Sequence, residues 1–281
     1  MTGVLRLAAG AVRGSVHPLD AARELGPARW RRRRRGGPAR DDAGPALVLS
    51  PHFDDAVLSC WSALAAPGDV LVANVFTGRP APGVLADYDR IAGASSSAEL
   101  MAAREAEDAD ALALAGRRAV NLGFLENQYR SRAPAVSELL DRLAARVPGA
   151  RSVLAPAAIG LHPDHVLARN VALALRARGW PVTFYADLPY CATYGWPSWV
   201  TGAPADPRLV VDAHWAPALE VLRREGIEPV AQVRRLDASQ QAAKLAALRG
   251  YATQYPTLTR GPLDVLARPA VLGFEVTWTA A

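Results

Sequence analysis

Lysine is almost missing from this chain: Lys244 is the single lysine among 32 cationic side chains in 281 residues. Arginine fills the generic positive positions, as a skewed coding preference would produce. Cysteine is equally scarce. Cys60 and Cys191 are the only two, too few for a disulfide scaffold, and neither sits in a CxxC pair that would mark a closed structural zinc site. No apolar run approaches the ~18 residues a membrane span needs. The Val4–Val12 stretch is interrupted by Arg6, and the arginine run follows it instead of preceding it. It therefore does not read as a signal peptide, and the expected compartment is the cytoplasm. With 51% hydrophobic and 21% charged residues, a largely disordered or fibrous protein is excluded.

The formal charge of +5 would by itself point to nucleic acid or a membrane surface. Its distribution says otherwise. Residues 1–40 hold ten arginines against Asp20 and Glu24, a net of +8; the other 241 residues hold 22 cations and 25 acids, a net of −3. The basicity belongs to an arm, residues 1–41, that ends near the run Arg31–Arg35. The arm reads either as a solvated segment or as an electrostatic tether. No nucleic-acid partner is expected for the body, because its cations are not concentrated on it.

Residues 42–281 read as one α/β domain. Ala46–Ser50, Asp69–Phe76, Ala119–Leu122, Ser152–Pro156 and Pro181–Ala186 are short apolar runs bounded by turn residues, as buried strands are. Helical patterns fall between them at Val57–Ala66, Glu99–Leu114, Ala135–Ala145 and Asp164–Arg178. Residues 79–97 read as a long loop. Toward the C-terminus, Arg208–Asp212, Val230–Arg234 and Leu272–Thr277 look extended and Asp237–Leu248 helical. The alternation predicts a Rossmann-like, mostly parallel sheet with helices on both faces.

There are five histidines, and three of them fall directly after predicted strands. His52 follows the first in Pro51-His52-Phe53-Asp54-Asp55; His162 and His165 follow the fourth in His162-Pro163-Asp164-His165. Ligands of open parallel sheets bind at the carboxyl ends of the strands. A His/His/carboxylate set with an open position is the ligand type of catalytic zinc. Asp54 is then a carboxylate left to take a proton from water, and a left-over histidine can steady an oxyanion. Each motif alone has a plainer reading, an N-cap with a solvated acid or a helix-start pair; the two together at strand ends make coincidence a poor account.

Pro51–Ser59 together with His162–His165 resembles the PIG-L/LmbE-like family of zinc-dependent N-acetyl-sugar deacetylases, with its PHxDD…HxDH pair. The likeness runs from about residue 46 to the C-terminus and takes in weaker matches at Thr77-Gly78, Arg104–Asp108, Asp187–Tyr190 and Lys244, Tyr251 and Gln254. The resemblance implies His52, Asp55 and His165 as ligands of one Zn²⁺ per chain, other divalent metals being possible. It implies Asp54 as the base that activates water. His162 would stabilise the oxyanion or protonate the leaving amine, with Asp164 tuning it. Phe53 and Ala56 depart from the family's usual Pro and acid, and the form Asp-Asp-Ala-Val-Leu-Ser looks more like members that tailor secondary metabolites.

The partner implied is a small N-acylated amino sugar or glycoconjugate. Arg104 could donate to sugar hydroxyls or face solvent in a pair with Glu107 or Asp108. Tyr190, Tyr194, Trp196 and Trp199 could stack on a sugar or aglycone, or form a satellite core. Glu126 follows the third strand and is a candidate polar contact. His17 and His214 carry no such context. An amidase acting on a non-sugar conjugate and a non-catalytic binding protein of the same fold are the competing readings; the complete set His52, Asp54, Asp55 and His165 speaks against the latter.

Overall fold

A computed structural model describes residues 45–204, 206, 208–227, 231–255, 259 and 268–280. The basic arm with its boundary, His17 and Val230 lie outside the described residues. The strands are β1 (Ala46–Ser50), β2 (Val70–Asn74), β3 (Ala119–Asn121), β4 (Ser152–Pro156), β5 (Val182–Tyr185), β6 (Gln232–Arg235) and β7 (Phe274–Ala280). They form one sheet in the order β3-β2-β1-β4-β5-β7-β6. The first five are parallel, with Leu47 opposite both Leu71 and Val153, and β7 runs antiparallel to β5 and to β6. The expected mostly parallel α/β sheet is thus observed.

The order reverses beside β1. From β1 the chain steps outward to β2 and β3, then returns across β1 to β4 and β5. Right-handed crossovers in opposite directions place their helices on opposite faces. The helices α1 (Asp55–Ser59), α2 (Trp61–Leu64) and α4 (Ser97–Ala113) pack with α9 (Ala238–Arg249), whereas α5 (Val136–Arg146) packs on α6 (Pro163–Ala177), which covers β4 and β5. The crevice between the carboxyl ends of β1 and β4 is the topological switch point, where such sheets bind ligands.

Four local expectations change. The helix predicted over 57–66 is split at Cys60 (φ −130°, ψ 25°), because the Ser62 amide is taken by Glu275 Oε2 at 3.0 Å and leaves the helical ladder. The loop 79–97 contains a short helix, α3 (Asp87–Ile91). The extended stretch expected at 208–212 instead leads into a helix after α7 (Ser198–Thr201), namely α8 (Val211–Arg224), whose buried face is Val211, Trp215, Ala218 and Leu222. Finally, α4 turns Arg104 and Asp108 inward on the same face as Leu100, Met101, Ala111 and Leu112, while Leu114 is exposed. Of the two readings of Arg104, the solvent-facing one fails because Glu126 and Asp89 receive its charge inside. A short turn, α10 (Pro269–Leu272), precedes β7. Among the described residues no helix is long and apolar enough to cross a membrane.

The lone lysine is fully buried. Lys244 on α9 meets Glu275 on β7, Nζ to Oε1 at 3.1 Å, and the other carboxylate oxygen holds Ser62. One ion pair thereby ties α9, β7 and α2 together. Removing one partner strands the other charge in the core. Lys244→Met should lower unfolding stability by about 3–5 kcal/mol in urea titrations. Lys244→Met combined with Glu275→Gln should recover much of that loss, since no unpaired ion remains.

Candidate functional site

β1 delivers the chain to Pro51, and three hydrogen bonds close the following turn. Ser50 Oγ donates to the His52 carbonyl (2.6 Å) and accepts from the Ala56 amide (3.1 Å); the His52 amide donates to Asp55 Oδ2 (2.8 Å). His52 Nδ1 consequently stands 3.3 Å from Asp55 Oδ2. Beyond β4, Ala158 and Leu161 adopt positive φ (61° and 58°) around Gly160 at 84°. Such backbone is strained for non-glycine residues. At Gly160 a Cβ would stand 3.2 Å from the Tyr190 Cβ and 3.3 Å from His214 Cε1. This compact loop sets His162 as the N-cap of α6 and brings His165 into the crevice.

His165 Nε2 lies 3.3 Å from the same Asp55 Oδ2. The two imidazoles therefore converge on one carboxylate oxygen from strands β1 and β4. Each is braced from behind: His52 Nε2 meets Asp164 Oδ2 at 3.0 Å, and His165 Nδ1 meets Asp187 Oδ2 at 2.9 Å. Asp187 is fixed by the Ile159 amide (3.0 Å), and Asp164 by the Asn127 amide (2.9 Å) and by Arg130, whose guanidinium also lies 4.8 Å from the Phe76 ring centre. Carboxylates behind imidazoles are the supports that metal-ligating histidines carry. Nitrogen atoms of His52, His162 and His165 all lie within 4.8 Å of one another, making the cluster a candidate metal site.

The buried charges push several groups far from their ordinary behaviour. Burial disfavours the protonated form of His165, yet the charges and contacts of Asp55 and Asp187 outweigh it and raise its pKa to about 9. His52 is likewise lifted well above its usual value, against burial, by Asp164 and Asp55. Asp55 and Asp164 are held well below the usual carboxylate range despite burial, by His165 and His52 and by His52 and Arg130 respectively. Asp54 goes the other way, pushed up to about 7 by burial and by the charge of Asp55. His162 falls to about 3, through burial and its two cationic neighbours. Its Nδ1 accepts from the Asp164 amide at 3.3 Å, so a neutral ring carries its proton on Nε2.

The residues fit a divalent cation. His165 Nε2 is buried with no hydrogen-bond partner, although an acceptor oxygen is 3.3 Å away. A field that draws protons onto a half-buried and a buried imidazole is a field that favours a cation, and the donor set of two nitrogens and one carboxylate suits zinc and its neighbours.

The other expected residues divide. Tyr190 is at the site, its ring 4.8 Å from His165 and 5.3 Å from His162. Arg104 is buried, 3.5 Å from Glu126 and 3.7 Å from Asp89, so it is not the solvent-facing arginine of a helix surface. Glu126 also accepts from Gln128 (2.7 Å). The Asp164 carboxylate hydrogen-bonds His52; toward His162 Asp164 donates its backbone amide, and its charge works against the fall of the His162 pKa. Trp196 is committed elsewhere: its Nε1 donates to the Val271 carbonyl (3.1 Å) and its ring packs on Trp215 and Phe274. Of the two readings of the aromatic cluster, the satellite core describes Trp196. His214 is not incidental, since its Nε2 meets the Tyr190 carbonyl at 2.8 Å. Asp187 and Arg130 were not singled out from sequence as site residues. Asp187 directly follows a buried strand, the same signal that marked His52.

The family model described as PIG-L, GlcNAc-PI de-N-acetylase, matches residues 47–176. The 2'-N-acetylparomamine deacetylase of Streptomyces fradiae is 34% identical over 165 residues, which are 52% of this chain and 58% of that protein. This chain thus spans little more than half the length of that relative. The A40926 pseudoaglycone deacetylase structure superposes with a TM-score of 0.62 at 28% identity, over 84% of this chain and 96% of the other. A deacetylase variant from the teicoplanin biosynthetic pathway does so with a TM-score of 0.62 at 27% identity, over 84% and 97%. Sheet order and paired motifs agree with these matches: over residues 47–176 the chain is similar to the PIG-L family, and in fold it is similar to these deacetylases.

Proposed function

We propose that this protein is a metal-dependent hydrolase that removes an N-acetyl or other short N-acyl group from an amino sugar or a sugar-bearing secondary metabolite. The observation that carries the proposal is the convergence of His52 Nδ1 and His165 Nε2 on Asp55 Oδ2 at the switch point, with Asp54 adjacent. The named activities of the relatives, on 2'-N-acetylparomamine and on the A40926 pseudoaglycone, support the substrate class.

His52, Asp55 and His165 would hold the ion, with Asp164 and Asp187 fixing the imidazoles. A bound divalent ion lowers the pKa of water and polarises an amide carbonyl. Asp54 accepts the proton of the attacking water; burial and Asp55 have already raised its basicity toward neutrality. His162, neutral and protonated at Nε2, donates to the oxygen on which negative charge develops. The proton held by Asp54 is then available to the departing amine. Tyr190 lies beside His162 and His165, and with the Arg104–Glu126 pair it would orient the sugar.

Acetate release from a panel of N-acetylated amino sugars, free and attached to aglycones, tests the activity. Hydrolysis that stops on chelation and returns with added zinc is the expected result; hydrolysis indifferent to chelator would overturn it. Asp54→Asn should keep the bound metal and lower kcat by roughly 10²–10⁴, measured beside metal content on the same preparation.

The three histidines should separate by role. His165→Ala should weaken zinc binding, read by calorimetric titration, whereas His162→Ala should bind zinc as the parent does and lose turnover. Equal loss of zinc in both variants would place His162 among the ligands.

A further inference from the structure

The segment after α9 reaches the site turn from far along the sequence. Tyr251 is buried, and its hydroxyl lies 3.1 Å from the Phe53 carbonyl oxygen and 2.7 Å from Asp108 Oδ1. Two residues further on, the Thr253 amide donates to Glu107 Oε1 (2.9 Å) and its hydroxyl to Glu107 Oε2 (2.7 Å). Asp108 also accepts from Asn74 Nδ2 (2.6 Å) at the end of β2. Consecutive acids on α4 thus fasten the segment, and the segment's tyrosine reaches the carbonyl immediately before Asp54.

We propose that Tyr251 is a positioning residue for Asp54: its hydroxyl grips the Phe53 carbonyl and fixes the peptide from which the Asp54 side chain projects. The inference rests on Asp54 being the base, and its geometry is independent of substrate. Phe53 is itself buried, so the grip joins two immobile partners. Proton counting assigns Asp108 a part. Tyr251 has one hydroxyl hydrogen and two acceptors within reach. An ionised Asp108 competes for that hydrogen; a protonated Asp108 donates to the phenol oxygen and leaves the hydrogen for Phe53. Burial pushes Asp108 up to about 7 against the bonds from Tyr251 and Asn74, with Asp54 and Asp55 adding to the rise, so the protonated form is within reach near neutral pH. Groups from β2 (Asn74), the site turn (Asp54, Asp55) and the C-terminal segment (Tyr251) all bear on it.

The test uses the zinc-loaded full chain as parent, Tyr251→Phe and Asp108→Asn, with hydrogen exchange over residues 51–59, bound zinc, thermal unfolding and steady-state kinetics. Tyr251→Phe keeps the ring and removes the grip. It should speed exchange over 51–59 about tenfold and lower kcat roughly 10–100-fold, with KM and bound zinc unchanged. Asp108→Asn, whose amide donates permanently to the phenol oxygen, should keep kcat within about threefold and keep the exchange protection. Tyr251→Phe with parental exchange and kcat overturns the proposal. So does a kcat loss that follows entirely from lost zinc or a lost folded fraction. A parent that binds zinc but releases no acetate from any substrate refutes the deacetylase reading instead, and exchange over 51–59 still decides whether Tyr251 holds the turn.

Discussion

One carboxylate oxygen organises this protein. Asp55 Oδ2 accepts the His52 amide and stands 3.3 Å from an imidazole nitrogen of His52 and of His165. A buried carboxylate between a half-buried and a buried imidazole is costly unless charge and hydrogen bonds compensate it. The surroundings supply them in layers. Asp164 and Asp187 brace the imidazoles, Arg130 and the Asn127 amide hold Asp164, and the Ile159 amide holds Asp187. The acids nearest the imidazoles still outnumber the guanidinium groups, which is why His52 and His165 are driven toward the protonated state. The same imbalance favours a cation over an anion at this crevice.

The fold makes the convergence possible at little local cost. His52 and His165 are 113 positions apart, yet β1 and β4 are hydrogen-bonded neighbours with Leu47 beside Val153. Their carboxyl ends open side by side because the strand order reverses there. Among the described residues, the non-glycine positive φ angles are those of Ala158 and Leu161, in the loop after β4. Tyr190 and His214 stand against Gly160 on its outer side. That loop carries both His162 and the start of α6, so packing against it fixes two of the three imidazoles at once.

The parallel sheet and the two histidine motifs were legible because each rests on short-range pattern. Apolar runs of four to eight residues bounded by turns mark buried strands, and polar residues directly after them mark the functional edge. What escaped was set by tertiary partners. Arg104 and Asp108 looked like the solvent face of α4, yet Glu126, Asp89, Tyr251 and Asn74 satisfy them inside. The break at Cys60 follows from a glutamate more than 200 residues away that captures the Ser62 amide. Helix α8 was missed although Val211, Trp215, Ala218 and Leu222 have helical spacing, because the valine pair at its start favoured an extended reading. Trp196 was open to two readings, and its bond to Val271 and its packing on Trp215 and Phe274 separate them.

These escapes share a direction. The family match covers residues 47–176, where the three clustered histidines and Asp54 lie, and most of the long-range partners that the local pattern concealed come from beyond it. Asp187 braces His165, His214 holds the Tyr190 loop, Tyr251 reaches Phe53, and Glu275 pairs with the only lysine. The first half supplies groups able to bind an ion and move a proton; the second supplies contacts that hold their orientation. Such contacts are single hydrogen bonds or ion pairs between distant positions, and no short motif records them. A site assembled this way loses precision when the distal half changes even if every motif residue is kept. Since a misplacement of about 1 Å can cost on the order of 10²-fold in rate, intact motifs alone do not measure catalytic competence in a chain of this architecture.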